Sequence, residues 1–246
     1  MKKIRLDQRL VDLGLSESRE KAQRLILAGE VTVDGQVRDK CAFEVGEDAT
    51  VAVKTPERFV SRGGEKLEAA FGHFRLEVAG LVCLDIGAST GGFTDCLLQH
   101  GAAKVYAVDV GHGQLHWRLR QDPRVVAMEG VNARFLYPAD LPETPSFATA
   151  DVSFISLTLI LPAIVRVLAP GGRIVTLIKP QFEAGREQVE RGGVVRDPAV
   201  HARVIEHIRA FGTGEAGLVW NGCIPSPLTG PAGNVEFLAA WEKGSA

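Results

Sequence analysis

The chain has 246 residues, enough for a standard α/β domain with a small appendage, and its 46% hydrophobic content suffices for a core. Its 28 basic and 30 acidic residues give a net charge of −2, which does not advertise nucleic-acid binding, so any such reading rests on where the charges fall. Four cysteines without a C-x-x-C pair suggest neither a disulfide frame nor a zinc site, and neither a signal-peptide core nor a long apolar run is present, so a cytoplasmic protein without a membrane span is expected.

At the start, Leu6, Leu10, Leu13 and Leu15 predict the apolar face of one helix. Ser16 or Ser18 can cap a second, with Ala22, Leu25 and Ile26 on its buried side. Arg5, Arg9, Arg19, Lys21 and Arg24 then point mainly outward. Residues 29–37 alternate at period two around Asp34-Gly35, a hairpin signal, and Val45, Val51 and Val53 add one or two short strands before Pro56. The pattern predicts a helix pair on a small sheet, with a basic outer face. The strings R-L-D-Q-R-L at 5–10, G-L-S-E-S-R-E-K-A at 14–22 and I-L-A-G-E-V-T-V-D-G at 26–35 resemble the alpha-L RNA-binding domain, the S-four type, over roughly residues 4–53. That resemblance implies that the five basic residues meet RNA phosphates, which position a protein without reading sequence.

Residues 59–65 contain S-R-G-G and read as a linker or hinge, after which Lys66 opens a helix with Leu67, Ala70, Phe71 and Phe74 at helical spacing. The run V-C-L-D-I-G-A-S-T-G-G-F at 82–93 reads as a buried strand, a glycine-rich turn and the start of a helix. Gly87 permits the tight turn, while Gly91 and Gly92 let backbone approach a ligand. A second strand over 104–109 ends in Asp109, placed to meet ribose hydroxyls. The G-x-G-x-x-G of dehydrogenases is absent, and Asp85 at the strand end would repel phosphate, so S-adenosylmethionine fits better than a dinucleotide. Asp85, Gly87, Ser89, Gly91 and Gly92 are expected on its methionine and ribose side, and Asn132 either at the adenine edge or as a helix cap. His112 and His116 lack the companions of a metal motif.

Residues 147–156 read as a strand with an acid, Asp151, at its carboxyl end, a crossover helix is expected over 157–168, and a strand over 173–178 delivers Lys179. Residues 182–197 are polar and glycine-bearing, which suits a solvated loop or a mobile lid. Glu236, in a strand of otherwise apolar residues, demands a partner. The fold class expected is α/β: a Rossmann-like domain with a mostly parallel sheet over 66–246, preceded by a small α+β domain over 1–58.

Lys66, Asp151, Lys179 and Glu236, in that order, resemble the Lys-Asp-Lys-Glu tetrad of FtsJ-like ribose 2′-O-methyltransferases. With S-R-G-G-E-K-L at 61–67, D-I-G-A-S-T-G-G-F-T at 85–94, A-D-V-S-F-I-S at 150–156, I-K-P-Q-F-E at 178–183 and G-N-V-E-F at 233–237, the chain resembles, nearly end to end, the TlyA (hemolysin A) family of ribosomal RNA methyltransferases. The resemblance implies methyl transfer from S-adenosylmethionine to cytidine 2′-hydroxyls, with ribosomal RNA or ribosomal subunits as partner. Lys179 would be positioning group or base, Asp151 its orienting partner, Lys66 an aid to RNA placement and Glu236 the outer partner. The competing readings are a membrane-active protein, an RNA-binding assembly factor with an inactive fold, and a base methyltransferase. The last usually shows an N-P-P-Y-like motif or a catalytic cysteine, and Asp151-Val152-Ser153-Phe154 supplies neither.

Overall fold

The computed structural model describes residues 3–54 and 58–245, and the chain divides into two compact units, Met1–Glu57 and Arg58–Ala246. In the first, β1 (Lys3–Arg5), α1 (Leu6–Asp12), α2 (Arg19–Leu27), β2 (Val31–Val33), β3 (Gln36–Val37), β4 (Glu44–Gly46) and β5 (Val51–Val53) follow in order. Ser18 caps α2 by accepting from the Lys21 amide, and Leu6, Leu10, Ala22, Ile26, Val31, Val33 and Val45 form the core. Asp34 and Gly35 both take positive φ, at 51° and 77°, the twist that a two-residue hairpin between β2 and β3 requires. One expectation is corrected: Leu13 and Leu15 are exposed because α1 stops at Asp12. One element has no sequence signal: β1, too short to show a period, pairs with β4. Pro56 lies outside the described residues.

The second unit contains α3 (Gly63–Phe74), β6 (Val82–Ile86), α4 (Gly92–Gln99), β7 (Lys104–Asp109), α5 (Trp117–Gln121), β8 (Val125–Glu129), β9 (Phe147–Ala150), α6 (Leu161–Val167), β10 (Arg173–Ile178), α7 (Pro180–Glu183), α8 (Pro198–Gly214), β11 (Leu218–Pro225) and β12 (Phe237–Lys243). They build one seven-stranded sheet in the order β11-β12-β10-β9-β6-β7-β8. The five strands β10, β9, β6, β7 and β8 run parallel, while β12 is antiparallel to both β10 and β11. Buried on both faces, the inner strands β6, β7, β9 and β10 are near-continuous apolar runs, with α3 and α4 packed on one face of the sheet and α6 and α8 on the other. From β6 the chain moves outward to β7 and β8, then returns to β9 on the other side. The carboxyl ends of β6 and β9 therefore flank a topological switch point, where open α/β sheets leave a crevice.

Three further expectations change. Residues 59–65 are not a free linker: Phe59 is buried, the Val60 amide donates to Asp95 Oδ2 at 2.8 Å, and α3 begins at Gly63, three residues before Lys66. The crossover over 157–168 starts as a 3-10 turn at Leu157–Leu159 before α6. Residues 182–197 are exposed over 185–187 and 190–193, as a solvated loop would be, but are pinned at both ends: Asn234 accepts from the Val195 amide and donates to the Gly193 carbonyl, and Glu183 accepts from Ser156 and the Leu157 amide.

Candidate active site

The glycine-rich turn after β6 is held by backbone. The Gly87 and Ala88 amides both donate to the Val108 carbonyl, and Gly87 sits at φ 78° with Asp151 O 2.4 Å from where a Cβ would stand, so only glycine fits. The turn ends against Asp109, whose Oδ2 accepts from the Ser89 amide at 2.8 Å and whose Oδ1 accepts from the Gly111 amide at 2.7 Å. Asp109, Val110, Asn132, Val152 and Ile155 help line a cavity of about 450 Å³ beside this turn. Asn132 lines it and also accepts from the Arg134 amide, the helix-cap bond that the sequence allows.

Two sequence expectations fail here. Asp85 does not line the cavity: it is fully buried beneath the turn, where Thr94 and Thr149 donate hydroxyl bonds at 2.6 and 2.8 Å. With no cation beside it, burial pushes its carboxyl up to about 6. Gly91 serves packing rather than ligand approach, while Gly92 both packs and lines a neighbouring cavity. A Cβ on Gly91 would strike Leu119, and one on Gly92 would stand 2.4 Å from Ser61 Oγ and 2.8 Å from the Gly64 nitrogen, where α3 and α4 begin side by side.

Next to this cavity lies a second of about 290 Å³, lined by Lys66, Asp151, Lys179, Ser61 and Thr229 among others, and the two share Gly87, Ser89, Asp151 and Ser153. β9 and β10 are parallel neighbours, so their ends deliver Asp151 and Lys179 side by side. Lys179 Nζ stands 2.6 Å from Asp151 Oδ1 and donates to Ser153 Oγ at 2.9 Å. Lys66, in the first turn and a half of α3, pairs with Glu236 Oε2 at 2.6 Å. Glu236 lies one residue before β12 rather than within it and is 2% exposed, so the Lys66 ammonium is the partner that its burial demands. The result is two lysines, each held by its own carboxylate, beside a crevice lined by backbone and by the Asp109 carboxylate. That set of groups can hold a hydroxyl and manage its proton.

In the N-terminal unit, the basic residues divide. Asp7 is fully buried and accepts from Arg5, Arg19, Gln23 and the Gln8 amide; the Arg5 bonds above all hold its carboxyl well below the usual range. Arg5 and Arg19 are thus half-exposed but committed to Asp7. Lys21 pairs with Glu17 at 2.9 Å, and Arg9 donates to the Glu47 carbonyl at 2.7 Å. Arg24 is exposed with no ion-pair partner among the described residues.

Residues 59–243 match the FtsJ-like methyltransferase family, and residues 4–51 match the S4 domain. The chain belongs to the FtsJ-like methyltransferase family. It is 48% identical over 239 residues to the 16S/23S rRNA (cytidine-2′-O)-methyltransferase TlyA of Mycobacterium tuberculosis, covering 96% of this chain and 89% of that protein. It is 46% identical over 237 residues to Hemolysin A of Brachyspira hyodysenteriae, covering 96% and 98% of the two chains. A solved hemolysin-named protein from Streptococcus thermophilus superposes with a TM-score of 0.77 at 48% identity, over 100% of this chain and 90% of that one.

Two features of this FtsJ-like methyltransferase escaped the sequence reading. Ser153 is the hydroxyl that holds Lys179, and its only local signal is its place two residues after Asp151. Phe154 sits at φ 63° with its side chain 91% exposed and its ring 4.9 Å from that of Phe182. A left-handed backbone is uncommon for a bulky residue and costs on the order of 1–3 kcal/mol, so it marks a segment held in place by its surroundings. No sequence period announces such a conformation.

Proposed function

We propose that the chain transfers a methyl group from S-adenosylmethionine to cytidine ribose 2′-hydroxyls of ribosomal RNA, free or in ribosomal subunits, in the cytoplasm. The observation that supports this most is the junction of the two cavities at Asp151 and Ser153, with Lys179 paired to Asp151 on one side and Lys66 to Glu236 on the other. S-adenosylmethionine supplies an activated methyl on a sulfonium. The donor set fits it. Each Asp109 oxygen accepts one backbone amide and keeps lone pairs for a ribose diol, while Val110 and Ile155 give apolar walls and Asn132 a polar edge for adenine. Gly87, Ser89, Gly91 and Gly92 shape the turn, and Asp85 acts from beneath it.

A ribose hydroxyl is a poor nucleophile at neutral pH, so these residues must hold its oxygen in line and take charge of its proton. Lys179 reaches the hydroxyl and, as the base, takes the proton that its oxygen loses, Asp151 and Ser153 orient the Lys179 nitrogen, and Lys66, steadied by Glu236, helps seat the RNA. Phe154 offers a flat apolar face at the rim. In the N-terminal unit, Arg9, Lys21 and Arg24 meet phosphates, as do the outer faces of Arg5 and Arg19.

The test is transfer of labelled methyl groups to ribosomal RNA. Lys179→Ala and Asp151→Ala are each expected to lose at least about 100-fold in single-turnover rate, while calorimetry finds S-adenosylmethionine bound as in the wild type. Rates near wild type with saturating cofactor and RNA would refute the assignment.

A further inference from the structure

Three features of the methyltransferase unit meet away from the crevice. The helix α3, whose early turns carry Lys66, ends at Phe74, and Arg75 follows in the left-handed region at φ 50°, ψ 52°. A helix that closes through this conformation usually places glycine there, because a side chain crowds the backbone. Here the closing bonds form all the same, with the Leu76 amide donating to the Phe71 carbonyl at 3.2 Å, and an arginine side chain is projected from the turn. Arg173 begins β10, at the end of that strand opposite Lys179. The edge strand β11 is irregular between Trp220 and Gly222, with Gly222 at φ 128°. Between them lies a groove of about 620 Å³ lined by His73, Phe74, Arg75, Arg173, Asn221 and Gly222 among others. Among the described residues neither arginine has an ion-pair partner, and Glu242, the cross-strand neighbour of Arg173, does not reach it.

We propose that this groove binds backbone phosphates of the RNA substrate, as a second contact remote from the catalytic crevice. The inference rests on RNA being the substrate. Two guanidinium forks match phosphate oxygens, Asn221 adds a neutral donor, and Phe74 forms an apolar floor. The 12 residues of α3 span about 18 Å at ~1.5 Å each, so an RNA presenting a ribose near Lys66 can reach the groove by following the helix for a few nucleotides. An arginine at a position that favours glycine sets a guanidinium at the groove, which a ligand contact uses and a purely structural cap does not need.

The experiment uses the full chain with Arg75→Gly, Arg173→Gln and the double variant, and measures binding of a ribosomal RNA transcript across a salt series. Arg75→Gly should melt at or above the wild-type temperature while binding RNA more weakly. The double variant should flatten the slope of log affinity against log salt by about 1.4, from ~0.7 per lost single-strand phosphate contact, with S-adenosylmethionine affinity unchanged. Unchanged RNA affinity and slope in the double variant overturn the proposal. Equal RNA binding, combined with AMP binding to the wild type but not to the double variant, also overturns it by making the groove a site for a small phosphate ligand. A wild-type chain that binds no ribosomal RNA overturns the substrate reading and this one with it.

Discussion

Asp7 and Asp85 are both covered from solvent, and their surroundings drive them in opposite directions. Asp7 has two arginines and its carboxyl is lowered, so its stabilisation is present above the unfolded pKa and is lost as pH falls through the folded one. Asp85 has only hydroxyl partners and is raised from 3.8 to about 6, so its contribution is full below pH 4 and lost as pH rises through 6. Relative to Asp85→Asn, the wild-type methyltransferase unit is expected to lose on the order of 3 kcal/mol between pH 4 and pH 7. All three tryptophans, Trp117, Trp220 and Trp241, lie in that unit, so urea unfolding followed by tryptophan fluorescence isolates it. A difference between the two proteins that does not vary with pH would contradict the reading. For the cofactor, Asp109→Ala is expected to weaken S-adenosylmethionine binding by about 1.5–3 kcal/mol, and unchanged affinity by calorimetry would remove Asp109 from the site. Both acids were legible in the sequence as strand ends. Their roles were not, because two residues of register separate the cavity wall at Asp109 from the buried support at Asp85.

The elements that sequence makes plain are those with local signals: apolar strands, the Asp34-Gly35 turn, the Ser18 cap. What it hides is the fit of one element against another. The start of α3 was misplaced because Gly63 and Gly64 have little helix propensity of their own. They are chosen by neighbours: a Cβ on Gly64 would overlap the Phe59 ring, and Gly92 of α4 lies against Gly63 and Gly64. Residues 59–65 read as a hinge for the same reason. Gly92→Ala should therefore push α3 from α4, destabilising the unit by about 1–3 kcal/mol and moving Lys66 off Glu236. Chemical denaturation and transfer rates measured on the same variant check this, and a variant with wild-type stability would mean that the close approach relaxes freely. Glu236 was placed in a strand for want of any sequence sign that β12 begins one residue later.

The net charge of −2 conceals a division of labour among cations. In the N-terminal unit a helical spacing cannot tell Arg19, which is bound to a buried carboxylate, from Arg24, which is not. Arg24→Glu is expected to weaken RNA binding and flatten its salt dependence without lowering the melting temperature, whereas Arg19→Glu should destabilise the unit by removing a guanidinium from Asp7 and placing a second carboxylate against it. Equal melting losses in both would contradict the distinction. No helix among the described residues is long and apolar enough to cross a membrane, so the Hemolysin A name of one relative finds no helical span in this chain. The two lysine–carboxylate pairs and the Asp109 carboxylate are the groups on which the proposed transfer to a ribose hydroxyl rests. Ribosomal RNA methylated in vitro by the wild-type chain, digested to nucleosides and weighed by mass spectrometry, should yield 2′-O-methylcytidine and lose it with Lys179→Ala. A methyl group on a base, or on no nucleoside at all, would contradict the account.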